Sequence, residues 1–460
     1  MTFKQLKTRR DFLRLGARTI TSIGAAAAFG EAGLVSARAA TDTSGYKALV
    51  CIFLFGGNDA NNMVVPVDTP TYNTYKSIRA NLALAQNALV PLGGSNFGLH
   101  PSMNALAKLF QKDAASTSPR LAVLTNVGTL VQPVPEITKN GKQVPDLSVP
   151  LPVNLFSHSD QVSEWQNAMP QGGATTGWGG RLADLVYSSQ AFPPSIGVSG
   201  GALQLVGRNT LPTTIGTQNF GLVEDKTLSD PLTSQLQMMQ EISLKGGVTL
   251  IQAAGNSLKS AIDVAKTVAN AAKGQSPLPP FPNTDVGSQL QQVAQIIQIH
   301  SGLGANRQIF FVSQGGYDTH SDQINQQAQL LANLSNAMVA FDAAMQQLGQ
   351  VNNVTTFTES DFSRTFQPNG NAGTDHAWGS HHLIMGGAVQ GGQIYGQFPT
   401  LALQGPSDSG NRGNWVPTTS ADQYGAQLAK WFGVTSQSDL DTVFPNLGKF
   451  KYATPKFMGI

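Results

Sequence analysis

The chain has 460 residues with 29 Lys and Arg against 27 Asp and Glu, a formal net charge of +2. Seven of the basic and two of the acidic side chains fall in residues 1–39. The rest therefore carries 22 basic against 25 acidic groups, a net −3 with no Lys/Arg run, which argues against a nucleic-acid partner. Cys51 is the one cysteine, so no intrachain disulfide can form.

The N-terminus reads as a targeting segment. Arg9 and Arg10 sit in the run TRRDFLR, a weakly apolar stretch follows over 15–29, and Ala37-Arg38-Ala39 offers a small-residue cleavage site. That order predicts a twin-arginine export signal over 1–39, with the translocation machinery as partner and the periplasm or exterior as destination. The apolar stretch is too short to anchor and carries Arg18, and no later stretch is long and apolar enough to span a bilayer. About 420 residues remain, ample for one α/β domain over 40–460.

Residues 48–55 (ALVCIFLF) form a continuous apolar run, as expected of a parallel strand covered on both faces, with Cys51 a packed core thiol. The run leads into Gly56-Gly57-Asn58-Asp59. Residues 101–110 read as a helix and 120–127 as a strand, and 131–153 as a Pro-rich surface loop. That loop delivers Phe156-Ser157-His158-Ser159-Asp160 to the start of a helix. Two readings stand there: helix caps, or a hydroxyl beside a histidine whose ionised form a helix N-terminus and a metal would favour.

Ser199 lies in GVSGG, a G-x-S-x-G match, with Asp318 and His320 or His376 following in Ser–Asp–His order. A serine hydrolase needs a helix directly after the nucleophile. The run 202–206 is short and is broken by Gly207 and Pro212. Residues 230–273 read as mostly helical. PLPPFP over 277–282 interrupts, and Leu290, Val293, Ala294 and Ile297 then mark a core-facing helix with His300 as a cap at its end.

The strand grammar recurs at 308–312 (QIFFV), which leads to Gly315-Gly316-Tyr317-Asp318, with His320 two residues on. A long helix follows, striped by Ile324, Leu331, Leu334, Met338, Phe341, Met345 and Leu348 and ended by Gly349. The strand 354–358 completes a βαβ unit that places Asp318, His320 and Asp361 at one edge of the sheet. Glu359, Asp361 and Arg364 come next, then Asp375-His376 and His381-His382. Three of the seven histidines fall within seven positions here, and clustered imidazole and carboxylate are the donors that divalent metals take.

Residues 48–66 (ALVCIFLFGGNDANNMVVP), 315–323 (GGYDTHSDQ), 355–396 (with TDHAWGSHHLIMGGAVQGGQIYG) and 416–434 resemble a secreted bacterial family of unknown function. That family commonly carries twin-arginine signals and is grouped with the alkaline phosphatase/sulfatase-like superfamily. The resemblance spans essentially all residues after the signal. It implies an alkaline phosphatase-like three-layer α/β sandwich with a largely parallel sheet. It also implies two divalent ions at the sheet's carboxyl edge, zinc foremost, with manganese, magnesium or calcium as alternatives.

The resemblance further implies residue roles. Asp59 would bridge toward one ion, Asp318 and His320 would hold the other, and Asp361 would close its strand end as a ligand. The superfamily pattern has histidine where this chain has Phe362, and His376 is the substitute. Of the last pair, His381 is favoured as ligand over His382, because adjacent residues of an extended loop point opposite ways. Asp375 either ligates or orients His376. Ser157 is the candidate nucleophile and Arg364 the candidate clamp for a substrate oxyanion. Cys51 lies inside a strand and no C-x-P-x-R motif exists, so a sulfatase of the usual type is not expected. The implied activity is hydrolysis of an anionic phosphate or sulfate-type ester. The alternative is a non-catalytic, metal-stabilised protein that binds a cell-envelope polymer.

Overall fold

The computed structural model describes residues 44–112, 118–187, 192–217, 263–450 and 455–459. The export signal and the first part of the helical section expected over 230–300 lie outside these. Among the described residues nine strands make the central sheet. They are β1 (Lys47–Leu54), β2 (Leu121–Gly128), β3 (Ser195–Gly197), β4 (Thr213–Thr214), β5 (Arg307–Gln314), β6 (Val354–Ser360), β7 (Ser380–Met385), β8 (Ile394–Gly396) and β9 (Thr419–Ser420). Their order is β8-β2-β7-β6-β1-β5-β3-β4, with β9 also paired to β2. Within this sheet β7 alone runs against the others, so the architecture is a mixed α/β fold with a mostly parallel sheet.

Period-2 alternation divides β1 between two cores. Ala48, Val50, Ile52 and Leu54 face one, and Leu49, Cys51 and Phe53 the other. The first is covered by α5 (Asp285–Gln298) through Leu290, Val293 and Ile297, and by α6 (Gln323–Gln347) through Leu331, Leu334, Met338 and Phe341. The second is covered by α4 (Trp178–Val186) and α7 (Ala421–Phe432), which contribute Trp178, Leu182, Tyr424 and Leu428. Helices therefore lie on both faces, which is why β1 reads as an unbroken apolar run. Gly349, at φ +65°, follows α6 and takes the left-handed conformation that ends it.

Two stretches differ from the sequence reading. Residues 101–110 form a broken series, Pro101–Met103 and Lys108–Phe110 in 3-10 turns around the short helix Asn104–Ala107. The expected loop 131–153 contains a hairpin, Glu136–Lys139 paired with Lys142–Pro145. Asn140 and Gly141 both have positive φ, 51° and 75°, the two-residue turn that matches strand twist. The surrounding prolines masked this Asn-Gly signal.

Glu359 faces the second core, fully buried, and accepts from the Cys51 thiol at 3.5 Å. Burial pushes its carboxyl up to about 8, against the smaller opposing effect of bonds from Cys51 and Trp178. The folded state thus keeps a proton that the unfolded chain releases above its ordinary value of 4.5. Stability falls as pH rises from that value to about 8 and levels off beyond, by roughly 1.4 kcal/mol per pH unit at most. Glu359→Gln is expected to flatten this slope and to be more stable than the native chain at pH 8. Denaturant midpoints at pH 5 and pH 8 measure it, and identical slopes for both proteins would rule the effect out.

Candidate metal centre

The strand register brings the site together. Leu54 of β1 lies opposite Gln314 of β5 and Ser360 of β6, so three parallel strands end level. Gly56 follows at φ +109°, and a Cβ there would stand 2.4 Å from the Asp318 amide nitrogen. Its own N–H donates to Asp361 Oδ1 at 3.1 Å. Only glycine allows the β1 turn to approach both neighbouring loops this closely. Helix α3 (His158–Asn167) brings in His158 at its first position, and the loop after β6 returns to pair Arg364 with His376 in a single β-bridge.

Three imidazoles converge on one carboxylate oxygen. Asp318 Oδ1 lies 2.9 Å from His320 Nε2, 3.3 Å from His376 Nε2 and 3.4 Å from His158 Nε2. His320 Nε2 and His376 Nε2 are 3.1 Å apart. The donor atoms of His158, Asp318 and His376 all lie within 4.8 Å of one another. His320 Nε2 adjoins two of these three, Asp318 at 2.9 Å and His376 at 3.1 Å.

The other ring nitrogen of each histidine faces an oxygen. His158 Nδ1 meets Asp361 Oδ2 at 2.7 Å, His376 Nδ1 meets the Phe156 carbonyl at 2.7 Å, and His320 Nδ1 meets Asp375 Oδ1 at 3.1 Å. An N–H on each Nδ1 makes these bonds, and each ring, when neutral, then turns its Nε2 lone pair toward Asp318. His158 Nε2 is a buried atom without a hydrogen-bond partner, as a ligand nitrogen would be.

Three imidazole nitrogens and one carboxylate oxygen are the donors of a four-coordinate divalent site. Bonds of 2.0–2.1 Å in a tetrahedron separate the donors by roughly 3.3 Å, close to the four separations of 2.9–3.4 Å among Asp318, His320, His376 and His158 given above. The residues fit one ion. Side-chain exposure, from 26% for His376 to 46% for Asp318, leaves the centre open to solvent. Beside it lies an open cleft of about 400 Å³ lined by Phe55, Gly56, His158, Ser159, Val162, Asp318 and Asp361.

The electrostatics divide: they suit Asp318 and His376 as ligands and favour the protonated form of His158. Partial burial works to raise the Asp318 carboxyl, but the Arg364 guanidinium, with His320 and His158, holds the group below its ordinary value. Burial holds His376 below the usual imidazole range and so favours its neutral form. The bond to Asp361 raises His158, against the opposing effect of burial. Asp375 is also lowered, to about 2, because its bonds to Arg412, Asn369 and His320 exceed the effect of burial.

The expected residues divide. Asp318, His320 and His376 meet at the centre. Asp361 and Asp375 lie one step out and orient His158 and His320; Asp375 was expected to serve His376. Asp59 is sealed in an ion pair with Arg79, both side chains 0% exposed. His381 is not in a loop but in β7, 1% exposed; its Nδ1 accepts the Asn126 N–H at 3.0 Å, and burial lowers it to about 3. His382 points to the opposite face, against Trp165 and Tyr424. Period-2 alternation thus separates the pair, but neither member reaches the centre.

The candidate catalytic groups also sit otherwise than expected. Arg364 is fully buried, and its nitrogens bond Asp318 at 2.8 Å, the Gly56 carbonyl at 3.2 Å and Thr374, so it does not face a substrate. Ser157 is the N-cap residue of α3, with its hydroxyl bonded to Asp160 at 2.5 Å. Ser199 is exposed, and the 3-10 turn Leu203–Leu205, not a helix, follows it. Missing from the expected ligands was His158. Its signal was available: one of only seven histidines, at a helix start beside acceptor residues.

Asp375→Asn is expected to weaken divalent-ion affinity by about 10–100-fold, because His320 loses the carboxylate that fixes its tautomer. Isothermal titration with Zn²⁺ measures this, and unchanged affinity would remove Asp375 from the centre.

The fold places the chain among mixed α/β proteins with a mostly parallel central sheet. By sequence it belongs to a family described as "Protein of unknown function (DUF1501)", whose model matches residues 46–409. No curated protein matches the chain. Among solved structures, it is similar to Ps i-CgsB in complex with k-i-k-neocarrahexaose, at 10% identity and a TM-score of 0.36, over 88% of this chain and 77% of that one. It is also similar to the PsFucS1 sulfatase from Pseudoalteromonas sp., at 9% identity and a TM-score of 0.34, over 93% and 72% of the two chains. Likeness this low transfers no residue role.

Proposed function

We propose that this chain is an exported metal-binding hydrolase that cleaves an anionic ester of phosphate or sulfate type at the His158–Asp318–His320–His376 centre. The observation that carries the reading is the convergence of three Nε2 atoms on Asp318 Oδ1, with the Nδ1 of each ring set against an oxygen. A bound divalent ion, zinc by donor set, would supply Lewis acidity to an ester oxygen. The chain's own groups orient the imidazoles through Asp361, Asp375 and the Phe156 carbonyl, and Arg364 keeps Asp318 ionised. Phe55 and Val162 give the cleft an apolar wall for the remainder of a substrate. The twin-arginine motif supports export to the periplasm or exterior. Among the described residues no helix is long and apolar enough to cross a membrane.

Elemental analysis of the purified protein before and after chelation, with turnover measured on phosphomonoester, phosphodiester and sulfate-ester panels, tests this. Metal-dependent turnover on one ester class is the expected result. Ion content with no turnover on any panel would favour a second reading, a metal-stabilised protein that binds an envelope polymer. One observation supports that reading: of the expected catalytic side chains, Arg364 is buried against Asp318 and Thr374, and Ser157 does not line the cleft.

A further inference from the structure

The resemblance found in the sequence implies two ions, and the residues around Asp59 do not fit the second. Asp59 Oδ2 takes both the Arg79 guanidinium and the Gln323 side-chain amide, and Oδ1 accepts the Asn61 N–H at 3.1 Å. Arg79 and Gln323 are both 0% exposed. The carboxylate is therefore already neutralised and its oxygens are in use.

A continuous set of bonds joins this pair to the centre. Gln323 accepts from the Thr374 hydroxyl, which accepts from Arg364 Nε at 3.3 Å, and Arg364 Nη1 donates to Asp318 at 2.8 Å. Arg79 Nη1 also holds the carbonyls of Thr365 and Phe366, the two residues after Arg364. On the other side Phe362 stands where the resembled pattern has a histidine. Its ring centroid lies 4.8 Å from those of both His158 and His376, so an apolar face replaces a ligand. Gly57, at φ +80°, is what admits that ring, since a Cβ there would stand 2.5 Å from it.

We infer that the centre holds a single ion, and that the buried guanidinium groups of Arg79 and Arg364 supply, as fixed charge, the positive potential a second ion would bring. Asp59 is sealed at 0% side-chain exposure with both oxygens engaged, whereas Asp318, although Arg364 also bonds it, is 46% exposed and faces the imidazoles, so the three imidazole nitrogens and Asp318 are the donors left to bind a cation. This inference rests on the metal-centre reading above.

Stoichiometry tests it. The full chain, stripped with chelator, is titrated with Co²⁺ while the visible absorption is followed, and Zn²⁺ content is measured in parallel by elemental analysis. One equivalent per chain is expected for the native protein and for Asp59→Asn, and none for Asp318→Asn. Two equivalents in the native protein would overturn the single-ion inference while leaving the centre in place. Loss of the ion in Asp59→Asn would do the same. No ion in the native protein would overturn both. Should Asp59→Asn fail to fold, the native titration decides the count.

Discussion

Asp318→Ala is expected to lose its divalent ion, with affinity lowered by well over the roughly 100-fold that marks the upper end for outer-shell changes. Asp318 Oδ1 lies within 3.4 Å of all three Nε2 nitrogens, so removing it takes away the carboxylate among the four donors and leaves imidazoles alone to hold a cation. His376→Ala should lose the ion as well, since it removes a donor 3.1 Å from His320 Nε2. His300→Ala is the control. That ring stacks on Tyr46 at 3.9 Å, and its Nδ1 lies 3.3 Å from the Ala305 carbonyl, away from the centre. Metal content by elemental analysis distinguishes the three, and equal content in all of them would refute the ligand assignment.

Arg79→Met should be the most destabilising single change at this edge of the sheet, by about 3–5 kcal/mol. The substitution keeps much of the aliphatic length but removes the guanidinium from Asp59, leaving a carboxylate buried at 0% side-chain exposure. It also takes the donors from Asn62, Thr365 and Phe366. A buried charge without its partner costs far more than the pair itself contributes, because desolvation is no longer offset. Adding Asp59→Asn in the same chain should recover part of the loss by removing the charge. Denaturant midpoints of the two variants measure this. A single variant within about 0.5 kcal/mol of native, the range of ordinary surface changes, would show that the pair is not isolated from water.

How much of this was legible beforehand differs by residue. Residues 48–55 and 308–312 are apolar without alternation, which only strands covered on both faces require, and each ends in a Gly-Gly-x-Asp turn. Those two facts located Asp318 and the edge on which the site stands. The spacing from Leu331 to Met345 gave α6. His376 was found by its rarity and its company. Asp59, by contrast, occupies the same grammatical position as Asp318 and has a different fate. Nothing local to it reveals that Arg79, twenty residues on, and Gln323, on another helix, close over its carboxylate.

The sequence by itself determined the layered α/β class, the core strands themselves and the neighbourhood of the candidate metal donors, because burial on both faces and sharp turns leave their mark on consecutive residues. Only the tertiary structure decided which donors meet. His158 joins from a helix more than 150 residues upstream of Asp318, and His381 turns from an expected loop ligand into a buried strand residue. Coordination depends on where side-chain tips converge in space, and convergence between distant segments has no periodicity for a sequence to display.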